Sequence, residues 1–441
     1  MLDAVRVALD PSPSQERALL SHAGAARFAF NAALDHVRVC LAQREAEKTY
    51  GVPDEDLTSV PWNLPALRRW WNASKPVLAP WWGENSKEAY NHGLDALARA
   101  LDGFTKSRKG ARRGARVGFP QFKSRARARA SYSYTTGTMG VADDRGVLLP
   151  RLGRVHTVEN IAARVGDAKV KRITVSRSAG RWFASLTVER ESARPMRRTP
   201  KRGSVTGVDL GVKALATLST GEQIQNPKHL DHASRKLRKA ARSFARTQKG
   251  SNGRRKVADR LARQHAHVAD ARRDYLHKVT TDLVERFQTI VIEDLNVAGM
   301  SKNRSLARVV GDASFGEFRR QLTYKAQRAG ATVIVADRFF PSSKTCAKCG
   351  AVKAKLSLSE RTFTCTVCGW TADRDVNAAV NLHHLSGSRP AVMAAEPFVR
   401  PDRNGRQPFA GRQKAMKLQP RTAPAGQTWN ANPVTGSSRA A

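Results

Sequence analysis

Cys346-Ala347-Lys348-Cys349, then Cys365-Thr366-Val367-Cys368, then Asp373-Arg374-Asp375-Val376-Asn377-Ala378-Ala379: no other stretch of the chain says as much about its architecture. Two C-x2-C pairs separated by a fifteen-residue spacer suit one tetrahedral Zn2+. Each pair closes a tight knuckle and the spacer forms a short hairpin. Four thiolates fill the coordination sphere and leave no position for a reactive water, so residues 342–370 read as a structural zinc ribbon. Chemistry then has to come from elsewhere, and the acids just beyond the ribbon are the first candidates.

Composition sets the partner class. The 441 residues are enough for several domains, and their 77 Lys and Arg against 37 Asp and Glu leave a formal charge of +40. A chain this basic repels itself unless it works beside a polyanion, so nucleic acid is the expected partner. No run of about 18 apolar residues and no apolar signal core follows Met1, which argues against a membrane role. Cys40 is the only cysteine outside the ribbon and falls in the apolar pattern of Phe28, Ala32, Leu34, Val37 and Leu41. With no disulfide framework, a reducing, cytoplasmic location is expected.

Upstream, residues 1–10 alternate as a strand, and a helix opens after Pro11-Ser12-Pro13-Ser14, with Ser14 a plausible N-cap. Two helices follow with an interruption over residues 50–82, which carries Trp62, Trp70, Trp71, Trp81 and Trp82 among prolines. Those rings suit either base stacking or gap filling in a small helical subdomain. An amphipathic helix returns over residues 86–104, with Ala89, Leu94, Leu97 and Leu101 on one face. Residues 106–129 then hold ten Lys or Arg and no acid. Charge of one sign at that density is costly on a loop without phosphate to neutralise it. Lys106, Arg108, Lys109, Arg112, Arg113, Arg116, Lys123 and Arg125 are therefore candidate nucleic-acid contacts. Period-two alternation over residues 131–192 predicts a curved sheet or small β-barrel. The strand of residues 1–10 would complete it and make the helices between an insertion.

Beyond a basic linker, Asp209 ends an apolar strand and a hairpin follows. Two long basic helices, about 228–248 and 254–287, lead to the buried strand Thr289-Ile290-Val291-Ile292, which ends on Glu293. A helix near 314–329 and a strand at 331–336 precede the ribbon, and a final helix spans 375–384. Residues 386–441 lose all periodicity and predict a disordered basic tail. Asp209, Glu293 and Asp375 or Asp373 thus stand at element ends of one α/β domain. Carboxylates converging in a positive field suit two Mg2+, or Mn2+, for phosphodiester hydrolysis; the bland alternative is acids that cap helices or pair with Arg.

Gly207-Val208-Asp209-Leu210-Gly211, Val291-Ile292-Glu293-Asp294-Leu295-Asn296-Val297, Ser342-Ser343-Lys344-Thr345-Cys346-x-x-Cys349-Gly350 and Asp373-Arg374-Asp375-Val376-Asn377-Ala378-Ala379 resemble, in order and spacing, the signatures of TnpB proteins. These are RNA-guided nucleases of bacterial insertion sequences, related to type V CRISPR effectors. Together the four motifs are specific; singly each is weak. The resemblance is close over residues 200–385 and looser over 15–31 and 118–123. It implies a RuvC-like, RNase H-fold nuclease domain (200–341 and 371–385) with the zinc ribbon inserted. A wedge-like β-barrel (1–10 and 115–195), with a helical recognition domain (11–114) inserted, would precede it. Asp209, Glu293 and Asp375 would be the catalytic carboxylates, with Asp373 as an N-cap alternative to Asp375. The partners would be one RNA from the transposon end per protein and a double-stranded DNA target read by guide pairing. A guided DNA-binding regulator that no longer cuts, a strand-transfer transposase and a CRISPR-associated effector are the competing readings.

Overall fold

The computed structural model describes residues 2–112, 114–191, 200–357 and 359–387. Arg113 and, beyond Gly387, the basic tail lie outside the described residues, as does most of the linker before residue 200.

The first strand, β1 (Leu2–Asp10), leads into α1 (Pro13–Thr49). Ser12, not Ser14, caps this helix: its hydroxyl accepts from the Gln15 amide and the Gln15 side chain accepts in return from the Ser12 amide. Pro13 then falls in the first turn, where a missing N–H costs nothing. The Trp-rich interruption contains a helix of its own, α2 (Leu64–Leu78), capped by Asn63 and ending just after Pro76. A 3-10 turn, Pro80–Glu84, joins it to α3 (Lys87–Arg108). Three of the five tryptophans fill gaps here, since Trp71 is buried, Trp70 stacks on His36 with ring centroids 4.6 Å apart and Trp62 donates to Thr105, whereas Trp81 and Trp82 are exposed. Gly93 lets α3 lie directly on α1, since a Cβ there would stand 2.1 Å from the Ala26 carbonyl oxygen.

Six further strands complete the first sheet: β2 (Ser131–Tyr134), β3 (Gly140–Asp143), β4 (Gly146–Leu149), β5 (Gly153–Thr157), and, after the short α4 (Ile161–Val165), β6 (Lys169–Ser178) and β7 (Arg181–Glu189). Their order is β2-β6-β7-β1-β5-β4-β3, antiparallel throughout, so β1 is an interior strand and the helices are inserted after it. Alternate residues Trp182, Ala184, Leu186 and Val188 of β7 turn inward and share one apolar core with α1 and α3. His92 and Glu88 of α3 bond Ser133 and Thr135 across this junction.

The second sheet comprises β8 (Lys201–Leu210), β9 (Ala214–Leu218), β10 (Gln223–Gln225), β11 (Phe287–Ile292) and β12 (Thr332–Val335), in the order β10-β9-β8-β11-β12. The first three are antiparallel neighbours, and β11 and β12 run parallel to β8. Between β10 and β11 stand α5 (His229–Ala245) and α6 (Asn252–Arg286). On α6, Val268, Val279, Leu283 and the following Phe287 are buried, whereas Val257 and Leu261 are only half covered. The N-terminal half of α6 is therefore an arm laid against α5, studded with Arg254, Arg255, Lys256, Arg260 and Arg263. The short α7 (Val297–Met300) and α8 (Ala307–Ala313) lead to α9 (Phe315–Ala329), which packs with α6 on one face of the sheet. The ribbon hairpin, β13 (Thr362–Thr364) and β14 (Thr371–Asp373), runs straight into α10 (Arg374–His384) on the other face. Arg328 of α9 reaches Asp3 of β1 at 2.7 Å, tying the two sheets' units together.

Candidate active site and metal centre

Strand alternation decides where the carboxylates point. Val208, Leu210, Ile290 and Ile292 turn to the α6/α9 core, whereas Val291 packs against Leu382 of α10. Gly207 shares the α10 face, because a Cβ on it would lie 2.0 Å from the Ala379 carbonyl oxygen. With period two, Asp209 and Glu293 face the same way as Gly207 and Val291. The parallel register pairs Ile292 with Val208. Continued by one residue, it sets Glu293, just past the end of β11, beside Asp209 near the end of β8.

The third acid follows from helix geometry. Asp375 and Ala379 are four residues apart on α10 and so share a face. Four helical residues rise about 6 Å and two strand residues span about 6.6 Å. With Ala379 seated on Gly207, Asp375 comes over Asp209. Burial pushes the Asp209 carboxyl well above its ordinary value, and the charges of Glu293 and Asp375 push it further, with Arg374 offsetting part of this. Burial also raises Glu293, against the opposing pull of the Ser342 hydroxyl, which donates to Glu293 Oε1 at 2.5 Å. Asp373 does different work. Its Oδ1 accepts from the Asp375 and Val376 amides at 2.9 and 3.2 Å, making it the N-cap of α10.

The ribbon brings all four cysteine sulfurs within 4.8 Å of one another, the only such cluster of His, Cys, Asp and Glu among the described residues. Both knuckles have the same build. The Cys346 amide bonds Ala351 and the Cys365 amide bonds Trp370, while Gly350 and Gly369 take the positive φ that each turn requires. Amides of Cys368 and Val367 point at the Cys365 sulfur and lower its thiol to about 6, an environment made for a thiolate. Sulfur-only donors at this spacing fit one structural zinc; the oxygen-only, partly buried carboxylates fit harder cations such as Mg2+.

Contacts that motif spacing did not reveal lock the two centres together. Asn377 donates to the Thr345 carbonyl and accepts from the Ala347 amide. Asn381 donates to the Ser342 and Thr345 carbonyls. The helix that carries Asp375 thus holds both the first zinc knuckle and the serine that orients Glu293. The only sequence signal was the presence of Ser342, Asn377 and Gly207 within the quoted motifs.

The basic segment is less uniform than its composition suggests. Lys106 and Arg108 belong to α3, where Lys106 pairs with Asp102, and Lys109 is the helix's C-cap. Arg112 donates to the Ala115 carbonyl, and Arg116 and Arg125 are exposed. Lys123 is anchored instead: its backbone exchanges two hydrogen bonds with Asn31 of α1, and its ammonium lies 3.5 Å from the centroid of the Phe30 ring. Among the described residues no helix is long and apolar enough to cross a membrane.

Residues 184–304 match a family model described as "Probable transposase" and residues 315–382 one described as "Cas12f1-like, TNB domain". Residues 1–45 match a "Helix-turn-helix domain", although here they form β1 and most of α1. The chain is 37% identical over 407 residues to "Putative RNA-guided DNA endonuclease Rv2885c" of Mycobacterium tuberculosis, covering 86% of each protein. It is 32% identical over 396 residues to "Putative RNA-guided DNA endonuclease InsQ" of Escherichia coli, covering 86% of this chain and 91% of that one. Among solved structures, the "Cryo-EM structure of the Cas12f1-sgRNA-target DNA complex" aligns at 12% identity over 87% of this chain and 98% of that one, with a TM-score of 0.47. Similar at this level along most of its length, the chain belongs to the TnpB family of transposon-encoded RNA-guided DNA endonucleases.

Proposed function

We propose that this chain, guided by an RNA from its transposon end, hydrolyses phosphodiester bonds of target DNA with Asp209, Glu293 and Asp375 holding two Mg2+ ions. The observation that supports the reading is the seating of α10 on Gly207, with Asp375 and Glu293 both close enough for their charges to act on Asp209. The order β10-β9-β8-β11-β12, a three-stranded antiparallel meander extended by two parallel strands, supports a RuvC-like RNase H fold for 200–341 and 371–385. The sheet of β1 to β7 supports the wedge-like barrel, and α1 to α3 the helical recognition domain.

Bound between these carboxylates, the Mg2+ pair would supply an activated water on one side of the scissile phosphate and charge neutralisation at the leaving 3′ oxygen on the other. The protein supplies the rest. Burial, and then repulsion from Glu293 and Asp375, raises the Asp209 carboxyl, so cationic charge arriving at the site would favour its ionised form. Ser342 fixes the Glu293 carboxylate, and Asp373 anchors the first turn of α10 so that Asp375 stays aimed inward. The exposed bases Arg108, Lys109, Arg112, Arg116 and Arg125 and those of the α5–α6 arm would offer phosphate contacts without sequence preference.

The test is to express the chain with its flanking DNA, sequence the RNA that copurifies, and challenge the complex with matching duplex in Mg2+, using Asp209→Ala as control. Guide-dependent cutting that the variant loses supports the proposal. Tight guided binding without cutting moves the reading to a regulator, and absence of copurified RNA overturns it.

A further inference from the structure

A cavity of about 370 Å³ opens beside the candidate active site, lined by Glu293, Asp294, Arg338, Phe339, Ser342 and Lys344 among others. Phe339 is 86% exposed within it. An aromatic ring held in water forgoes the stabilisation of burial. The loop is rigid. Asp337 Oδ1 accepts from the Phe339 amide at 2.8 Å, and the adjacent Phe340 packs on Val291, Ala336 and Leu382. The Ser342 amide bonds the Phe340 carbonyl, and Asn381 holds the Ser342 carbonyl. The turn therefore presents one ring and half-buries the other. On the cavity wall, Arg338 shares the Asp294 carboxylate with Arg319 of α9, and Lys344 stands with the carboxylates of Glu293 and Asp337.

We propose that Phe339 is a stacking platform for a nucleobase of the DNA strand being cut, with the Arg319/Arg338 pair meeting its backbone; this rests on the nuclease reading above. A cavity of this size falls within the range of small-ligand sites, roughly 300–1,000 Å³, and admits one nucleotide. A base can stack on a side chain only when its face is free, so the platform takes single-stranded DNA and rejects paired duplex. It is indifferent to sequence, because every base has a π face, and this suits an enzyme whose specificity comes from guide pairing. Seating a base next to Glu293 fixes the neighbouring phosphate over the carboxylates.

The experiment uses the full chain with its guide RNA and compares wild type with Phe339→Ala and Phe339→Tyr. Single-turnover cutting in Mg2+ should fall about ten- to a hundredfold in the alanine variant and recover in the tyrosine variant, as expected for loss and restoration of one base stack. Guided binding of duplex target should stay unchanged. In EDTA, an oligodeoxynucleotide carrying 2-aminopurine should be quenched by wild type and by Phe339→Tyr, and not by Phe339→Ala. Wild-type cutting and quenching in Phe339→Ala would overturn the proposal, as would failure of tyrosine to rescue. If no variant cuts, or Asp209→Ala cuts as well as wild type, the nuclease reading is what fails. The quenching measurement still decides whether the ring stacks on DNA.

Discussion

The ribbon and the carboxylate centre lie against the same helix, yet they are built in opposite ways. The four cysteines come from one short stretch, and two matching knuckles crowd their sulfurs together before any distant contact is needed. The three acids come from β8, the end of β11 and α10, and they repel one another once assembled. Attraction to a metal can organise the first locally. Only the sheet register and the bare backbone at Gly207 can organise the second. A site of mutually repelling charges is therefore held by packing from outside, and Asn377, Asn381 and Ser342 are the ties.

The contrast can be broken most severely at the metal. Stripping zinc with a chelator, or Cys365→Ser, should unfold the ribbon, since structural zinc contributes on the order of 10 kcal/mol to such folds. It should also abolish cutting through the lost grip on Ser342. Zinc content and cleavage measured together would test this, and full activity in a zinc-free protein would show the centres to be independent.

Gly207→Val attacks the other centre first. Its side chain meets the Ala379 and His383 backbone, so α10 must lift, at a cost of about 1–3 kcal/mol in stability. Misplacing Asp375 by about 1 Å should lower cleavage about a hundredfold. Bound zinc should remain stoichiometric, a result that thermal melts and metal analysis would check. Ser342→Ala should have a smaller effect. With the hydroxyl gone, burial alone sets the Glu293 carboxyl, which rises further. Cutting requires the ionised form, so the acidic limb of the pH–rate profile should move to higher pH, with the rate near its plateau little changed. The smallest effect is expected at Asp373→Ala: loss of an N-cap costs about 1 kcal/mol of helix stability but should leave cutting within a few-fold. Asp375→Ala should abolish it, and the reverse pattern would exchange the two roles.

What could be read from the residues alone follows the same division. The ribbon was legible because its ligands and spacing are local, and the strands around Asp209 and Glu293 because their apolar runs end on acid. Insertion of the helices after β1 followed from one alternating segment at each side of them. The helix within residues 50–82 was obscured by its prolines, of which Pro65 sits in the first turn, where a missing N–H costs nothing, and Pro76 stands two residues before the end of α2. Ser12 displaced Ser14 as the cap because its partner Gln15 completes a reciprocal pair. Lys123 looked like any other base of its segment, and only the distant Asn31 and Phe30 set it apart. Phe339 and Phe340 are indistinguishable as letters; which ring is partly covered depends on α10.

The position of β1 has a consequence for how the chain is made. Its neighbours are β5 and β7, so this strand leaves the ribosome with neither partner yet synthesised. Translation at about 5–20 residues per second delays β7 by roughly 10–40 s. In that interval α1 to α3 can pack on one another while β1 waits with both edges bare. The basic helical part is thus formed early and the sheet that seals it late, an order that leaves nascent chains open to pairing with the wrong strand and makes the first nine-residue strand the place where misassembly would begin.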